Sequence, residues 1–134
     1  MLSVFVDTGG WYAAMVKKDH AHEAAKQFLI NNKLPLITSD YVMDETVTLL
    51  QSRVGHQYAV TFLDALQNSQ QIQLYYLTPV QIEKTIALFR SRSDKNWSFT
   101  DCSSFILMQE LQIQTVFGFD EHFQQAGFQT QPMI

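Results

Sequence analysis

The stretch VFVDTGG, residues Val4 to Gly10, decides between two architectures. An apolar run ends in one aspartate, and Thr8, Gly9 and Gly10 follow. Asp-Thr-Gly after an apolar strand is the active-site triplet of aspartic proteases. The retroviral type of that enzyme is an all-β dimer of comparable chain length. An aspartate closing a first parallel strand is, in many nucleases and phosphatases, the first metal ligand. A plain turn residue is the third reading of Asp7. The pattern of the remaining chain separates them.

Leu2 to Val6 reads as a short buried strand, which Gly9 and Gly10 end as a flexible exit into a helix over Trp11 to Val16. From Ala21 the apolar positions Ala21, Ala25, Phe28 and Leu29 follow helical spacing, to a stop near Asn31-Asn32 ahead of Pro35. Leu36 to Thr38 is a strand candidate. Ser39 and Asp40 can cap a helix that runs to about Arg53 and stops at Gly55. Ala59, Phe62, Leu63 and Leu66 form the next helical stripe. Ile72 to Leu77, rich in β-branched and aromatic residues, reads as a strand. Thr78, Pro79 and Gln81 then supply the cap, first helical residue and capping box of a helix with Ile82, Ile86 and Phe89 on its apolar face. Ser91 to Ser98 is a polar loop. Thr100 or Asp101 starts a helix through Phe105, Met108 and Leu111. Thr115 to Phe119 is a strand ending at Asp120, and the tail from Gly127 adds a final strand. Strands alternating with helices predict an α/β domain with a mostly parallel sheet. At least four helical stripes contradict the protease architecture.

The chain has 134 residues, which fits a single domain over 1–134. Its one cysteine, Cys102, cannot form an internal disulfide and suits a reducing cytoplasm. The first apolar stretch stops at Asp7, so neither a signal peptide nor a membrane-spanning helix is expected. The net charge of −4 argues against a large electrostatic nucleic-acid footprint. That objection weakens if several carboxylates share a cation site. Lys84, Arg90, Arg92 and Lys95 fall within a dozen residues, either as a solvated helix face or as phosphate contacts.

In a parallel α/β sheet, ligands bind beyond the carboxyl ends of the strands. Asp7 and Asp120 both follow strands, and they converge if those strands are neighbours. Asp101 lies at a helix start, where the helix dipole favours negative charge. Singly, each also reads as a turn or cap residue. Glu45 sits between Val42 and Leu49 on an inward stripe, where a carboxylate must be paired, protonated or on a metal. An ion pair with Arg53, or a place at the stripe's edge, is the alternative. Hard cations such as Mg²⁺ and Mn²⁺ suit oxygen ligands. His20 and His22, two apart, do not share a helix face, and His56 and His122 are isolated, so all four read as surface or hydrogen-bonding residues; no zinc cluster, phosphate loop or Gly-x-Ser-x-Gly elbow is present.

Five segments in this order resemble a known family: VFVDTGGWYAAM, DHAHEAAKQFL, TSDYVMDETVTLLQSRVG, SDKNWSFTDCSSFILMQELQI and VFGFDEHFQQAGF. The chain resembles PIN-domain ribonucleases of the VapC-toxin-like branch over nearly its whole length. The resemblance implies a three-layer α/β/α sandwich. It implies an acidic site of Asp7, Glu45, Asp101 and Asp120 holding one or two Mg²⁺ or Mn²⁺ ions, and hydrolysis of single-stranded RNA. Asp7 and Asp101 would be direct ligands. Asp120 would serve a second metal or act through water, and Glu45 would ligate or orient a coordinated water. Thr8 and Ser98 would support them through hydrogen bonds, or else act as local caps. Arg53, Arg90, Arg92 and Lys95 are candidate RNA contacts. Trp11, Tyr12 and Trp97 lie near the site in sequence and could stack bases, or belong to the core or a dimer interface. A homodimer and a small antitoxin partner are also implied. Gly118 departs from the family pattern, where many relatives carry threonine or another small polar residue, and Glu121 is an uncertain additional acid. A non-catalytic PIN-like binding module, an RNA-processing nuclease without an antitoxin, and a metal-dependent phosphatase or DNA nuclease are the competing classes.

Overall fold

In the computed structural model, residues 2–133 are described. The elements run β1 (Val4–Val6), α1 (Thr8–Met15), α2 (His22–Asn31), β2 (Leu36–Ser39), α3 (Asp40–Arg53) and α4 (His56–Asn68). They continue with β3 (Ile72–Tyr75), α5 (Pro79–Ser91), α6 (Phe99–Glu110), β4 (Thr115–Phe117), α7 (His122–Gln125) and β5 (Gln129–Gln131). The strands form one sheet in the order β3-β2-β1-β4-β5, and every neighbouring pair is parallel.

The central strands are the most apolar. Phe5, Val6, Val116 and Phe117 are wholly buried, as expected for a parallel sheet covered on both faces. The crossovers from β1 to β2 and β3 run one way along the sheet, and the crossover from β3 to β4 runs back. Right-handed connections then put α1–α4 on one face and α5 and α6 on the other. This is the expected α/β/α sandwich. The reversal leaves a cleft beyond the C-terminal ends of β1 and β4, the switch point at which such sheets bind ligands.

Several boundaries differ from the sequence reading. Gly9 and Gly10 are no exit loop but lie inside α1, which begins directly at Thr8. A Cβ on Gly10 would stand 2.4 Å from the Phe117 carbonyl oxygen, so only glycine lets this helix lie against β4. β3 ends at Tyr75 rather than Leu77, because the Leu77 N–H turns to donate to Asp40 Oδ1 at 3.1 Å. β4 stops at Phe117 rather than Phe119, where its registers with both β1 and β5 end. Leu2 and Ser3 stay outside the ladder, with Leu2 exposed. The capping box at Thr78 and Gln81 forms as read, with both reciprocal bonds. α6 starts earlier than Thr100 or Asp101: Ser98 is its N-cap, and Asp101 is the third residue of the helix.

Candidate active site

Four carboxylates reach the cleft from four elements. Asp7 leaves β1 as the N-cap of α1, Glu45 lies in the second turn of α3, and Asp101 in the first turn of α6. Asp120 follows β4 in the loop before α7. Their proximity is recorded in Asp7 itself. The buried Asp7 carboxyl is pushed up to about 8, by burial first and then by the charge of Asp101. The Thr8 backbone N–H opposes the rise, while Glu45 and Asp120 add to it. Among the described residues no lysine or arginine pairs with Asp7. An uncompensated buried acid among three others is costly. The arrangement supplies hard oxygen donors and lacks the positive charge that would balance them, as a divalent-cation site does.

One side of the cleft is built on hydroxyls. The Thr8 hydroxyl donates to Glu45 Oε1, and the wholly buried Thr46 donates to Thr8 Oγ1 at 3.4 Å. Glu45 therefore sits beside the buried stripe of Val42, Thr46 and Leu50, not on it. Of the two alternatives read for Glu45, the ion pair with Arg53 does not form among the described residues. The Arg53 guanidinium lies over the Tyr12 ring at 5.5 Å, in a groove lined by Gly9, Leu49 and Phe119.

The other side is built on a helix cap. Ser98 Oγ accepts the Asp101 N–H, and the Ser98 N–H donates to Asp101 Oδ2, both at 3.0 Å. Ser98 thus touches the carboxylate through its backbone, and its hydroxyl closes the helix. Asp120 Oδ1 accepts the His122 N–H at 3.0 Å. The His122 ring lies 2.9 Å from Asp101 Oδ2 and 3.3 Å from Asp120 Oδ2 through Nδ1, so this histidine is not isolated. Asp101, Asp120 and His122 offer donor atoms that all lie within 4.8 Å of one another.

The chain matches the PIN-domain family model over residues 4–129, a span that contains all five resembling segments. This chain belongs to the PIN-domain family. Two relatives, the 23S rRNA-specific endonuclease VapC20 from two strains of Mycobacterium tuberculosis (CDC 1551 / Oshkosh and H37Rv), are each 33% identical to this PIN domain over 125 residues. The match covers 93% of this chain and 95% of theirs. The crystal structure of M. tuberculosis VapC20, described as a sarcin-ricin loop cleaving toxin, superposes with a TM-score of 0.90 at 32% identity. That superposition covers 94% of this chain and 96% of VapC20. FitAcB from Neisseria gonorrhoeae shares the fold, with a TM-score of 0.66 at 15% identity over 95% of each chain.

Within this PIN domain, some residues near the site in sequence are used elsewhere. Trp11 is buried edge-on against Phe62 at 5.5 Å, its Nε1 donating to Thr38 Oγ1 at 3.3 Å, so it offers no stacking face. Trp97 is buried against Phe105 and donates to Gln125. Arg92 covers the Trp97 ring at 4.8 Å and holds Asp94 with two bonds of 2.9 and 3.0 Å. Arg90 lies in the last turn of α5 and Lys95 in the loop after it, and among the described residues neither bonds to the acidic cluster. Lys84 pairs with Glu110. A Cβ on Gly118 would stand 3.3 Å from Asp7 Cβ and 3.8 Å from Asp7 Oδ2, so a hydroxyl residue there would stand against this carboxylate. Glu121 is exposed and heads α7. Sequence reading missed His122 and Thr46. The Asp120-x-His122 spacing was the available signal for a local turn bond, whereas the reach of the ring to Asp101 depends on how α6 and α7 pack.

Proposed function

We propose that this PIN domain is a metal-dependent endoribonuclease that hydrolyses phosphodiester bonds of single-stranded RNA, acting as the toxin of a toxin–antitoxin pair. The observation that carries the reading is the convergence of four carboxylates at the sheet's switch point, with no lysine or arginine of the described chain to balance Asp7. The similarity to VapC20, a 23S rRNA-specific endonuclease and sarcin-ricin loop cleaving toxin, supports the substrate class.

Asp7 and Asp101, the more buried carboxylates, would hold Mg²⁺ or Mn²⁺ directly, with Asp120 and Glu45 completing the donor set for one or two ions. When bound, such ions neutralise the scissile phosphate, acidify water for attack and stabilise the leaving oxygen. The chain's own part is positional. The Thr8 hydroxyl fixes the Glu45 carboxylate, and the Ser98 backbone fixes that of Asp101. Arg53, beside Tyr12 in the adjoining groove, is the cation best placed to meet a backbone phosphate. Arg90 and Lys95 would extend that contact, and Arg92 would do so only by giving up Asp94. A homodimer and a small antitoxin are the proposed partners. No helix of the described residues is long and apolar enough to cross a membrane.

The test is hydrolysis of an RNA panel that includes 23S rRNA by the purified protein, with Mn²⁺ and then with excess EDTA. Cleavage that needs Mn²⁺ and disappears with EDTA is expected. Intact RNA together with no divalent-ion binding in calorimetry would overturn the reading.

A further inference from the structure

Asp101 and Asp120 come from different elements and carry like charge, so a fixed separation between them needs a restraint. His122 supplies contacts to both. Its backbone N–H donates to Asp120 Oδ1 at 3.0 Å, and its Nδ1 lies 2.9 Å from Asp101 Oδ2 and 3.3 Å from Asp120 Oδ2. Carboxylate oxygens only accept, so Nδ1 carries the hydrogen that faces them. With that hydrogen in place, Nδ1 has no lone pair to offer an ion.

Asp101 Oδ2 has two donors, the His122 ring and the Ser98 N–H at 3.0 Å. They hold the carboxylate against rotation. Its other oxygen, Oδ1, takes no hydrogen bond among the described residues and is left for a cation. The two donors also come from different elements, one from the start of α6 and one from α7, so together they register these elements against each other. The imidazole is about one-fifth exposed, which shields the bond from competing water.

We propose that His122 is a positioning residue that clips Asp101 to Asp120 and presents the free oxygen of Asp101 to a divalent cation. This rests on the metal-centre reading above and extends it to a residue outside the four carboxylates. Metal-ligating groups are commonly oriented by such partners, whose loss lowers ion affinity about ten- to a hundredfold.

The experiment is Mn²⁺ titration calorimetry on the wild-type chain, His122→Ala, His122→Asn and His122→Gln, with the melting temperature of each metal-free protein as a control of folding. His122→Ala should bind Mn²⁺ about ten- to a hundredfold more weakly. His122→Asn, whose amide nitrogen takes the place of Nδ1, should recover most of the affinity, and His122→Gln should recover less. Should His122→Ala fail to fold, the Asn-over-Gln order decides. Pulsed EPR of Mn²⁺ on the wild-type chain should show no directly bonded nitrogen. Equal affinity in the wild type and His122→Ala, no advantage of Asn over Gln, or a bonded nitrogen would each overturn the role of His122 and leave the metal centre standing. A wild-type chain that binds no Mn²⁺ would overturn both.

Discussion

The two halves of the acidic cleft carry two carboxylates each, and they are held by different means. Asp7 and Glu45 belong to the side of α1 and α3, where threonine hydroxyls join residues 37 and 38 apart in the chain. Asp101 and Asp120 belong to the side of α6 and α7, where bonds join residues two or three apart and one imidazole spans 21. The first half exists only once α1 has packed on α3. The second is assembled from local caps and then clipped. Each half holds one buried carboxylate, Asp7 at 5% and Asp101 at 7% exposure, beside a more open one. Burial makes Asp7 an acid reluctant to ionise without a counter-ion.

The largest effect should come from Asp101→Asn. The amide oxygen still accepts the Ser98 N–H, so the cap and the fold survive while the charge is lost. RNA hydrolysis should fall more than about a hundredfold, beyond the upper range for an outer-shell partner, with the metal-free melting temperature nearly unchanged. Retained hydrolysis would remove Asp101 from the metal site and break the contrast at its capped half.

Next in size is a pH effect at Asp7. Asp7 ionises near 3.8 when exposed in the unfolded chain but only at about 8 in the metal-free fold. Between those values the unfolded chain has released a proton that the folded chain retains. Stability is therefore full below pH 3.8 with respect to this group and is lost as pH rises toward 8. Each pH unit within the window costs about 1.4 kcal/mol. Denaturant unfolding of EDTA-treated protein should show roughly 3 kcal/mol less stability at pH 7 than at pH 5 from this group. Asp7→Asn should flatten the slope, and Mn²⁺ should restore the stability of the wild-type chain at pH 7. A slope unchanged by Asp7→Asn would assign it to another group.

A smaller effect tests the hydroxyl pair. Thr8→Val removes the donor to Glu45 at nearly constant volume, and hydrolysis should drop about tenfold. Thr8→Ser keeps the hydroxyl and should stay near the wild type. Equal losses in both variants would mean that the methyl group, and so packing, is what matters at residue 8.

Much of the fold could be read because each element announces itself locally. The period of Ala59, Phe62 and Leu66 and the box at Thr78 and Gln81 depend on neighbours in sequence. The box at Ser98 was harder to read, because its third residue is an aspartate instead of the usual glutamate or glutamine. Gly9 and Gly10 read as a break because glycine weakens helices. The use of Gly10 inside α1 follows from its close approach to Phe117 of β4, more than a hundred residues away, which propensity cannot reveal. The four carboxylates were legible from strand ends, a helix start and an apolar stripe, and from the order of five segments. Their convergence required β1 and β4 to be neighbours, which the sequence poses only as a condition. His122 and Thr46 were illegible as site residues for the same reason: their partners belong to other elements.

Gly10 sets more than a helix boundary. Asp7 stands three residues before it, and Asp120 stands three residues after Phe117, whose carbonyl it touches. The spacing of these two acids is thus gauged main chain against main chain. Such a contact has no rotamers to fluctuate, and substitutions of the surrounding side chains have little hold on it. The positions where an added side chain would disturb this spacing are glycines, residue 10 most sharply. There, one added carbon would act as a shim between helix and strand and widen the seat that the ion has to fit.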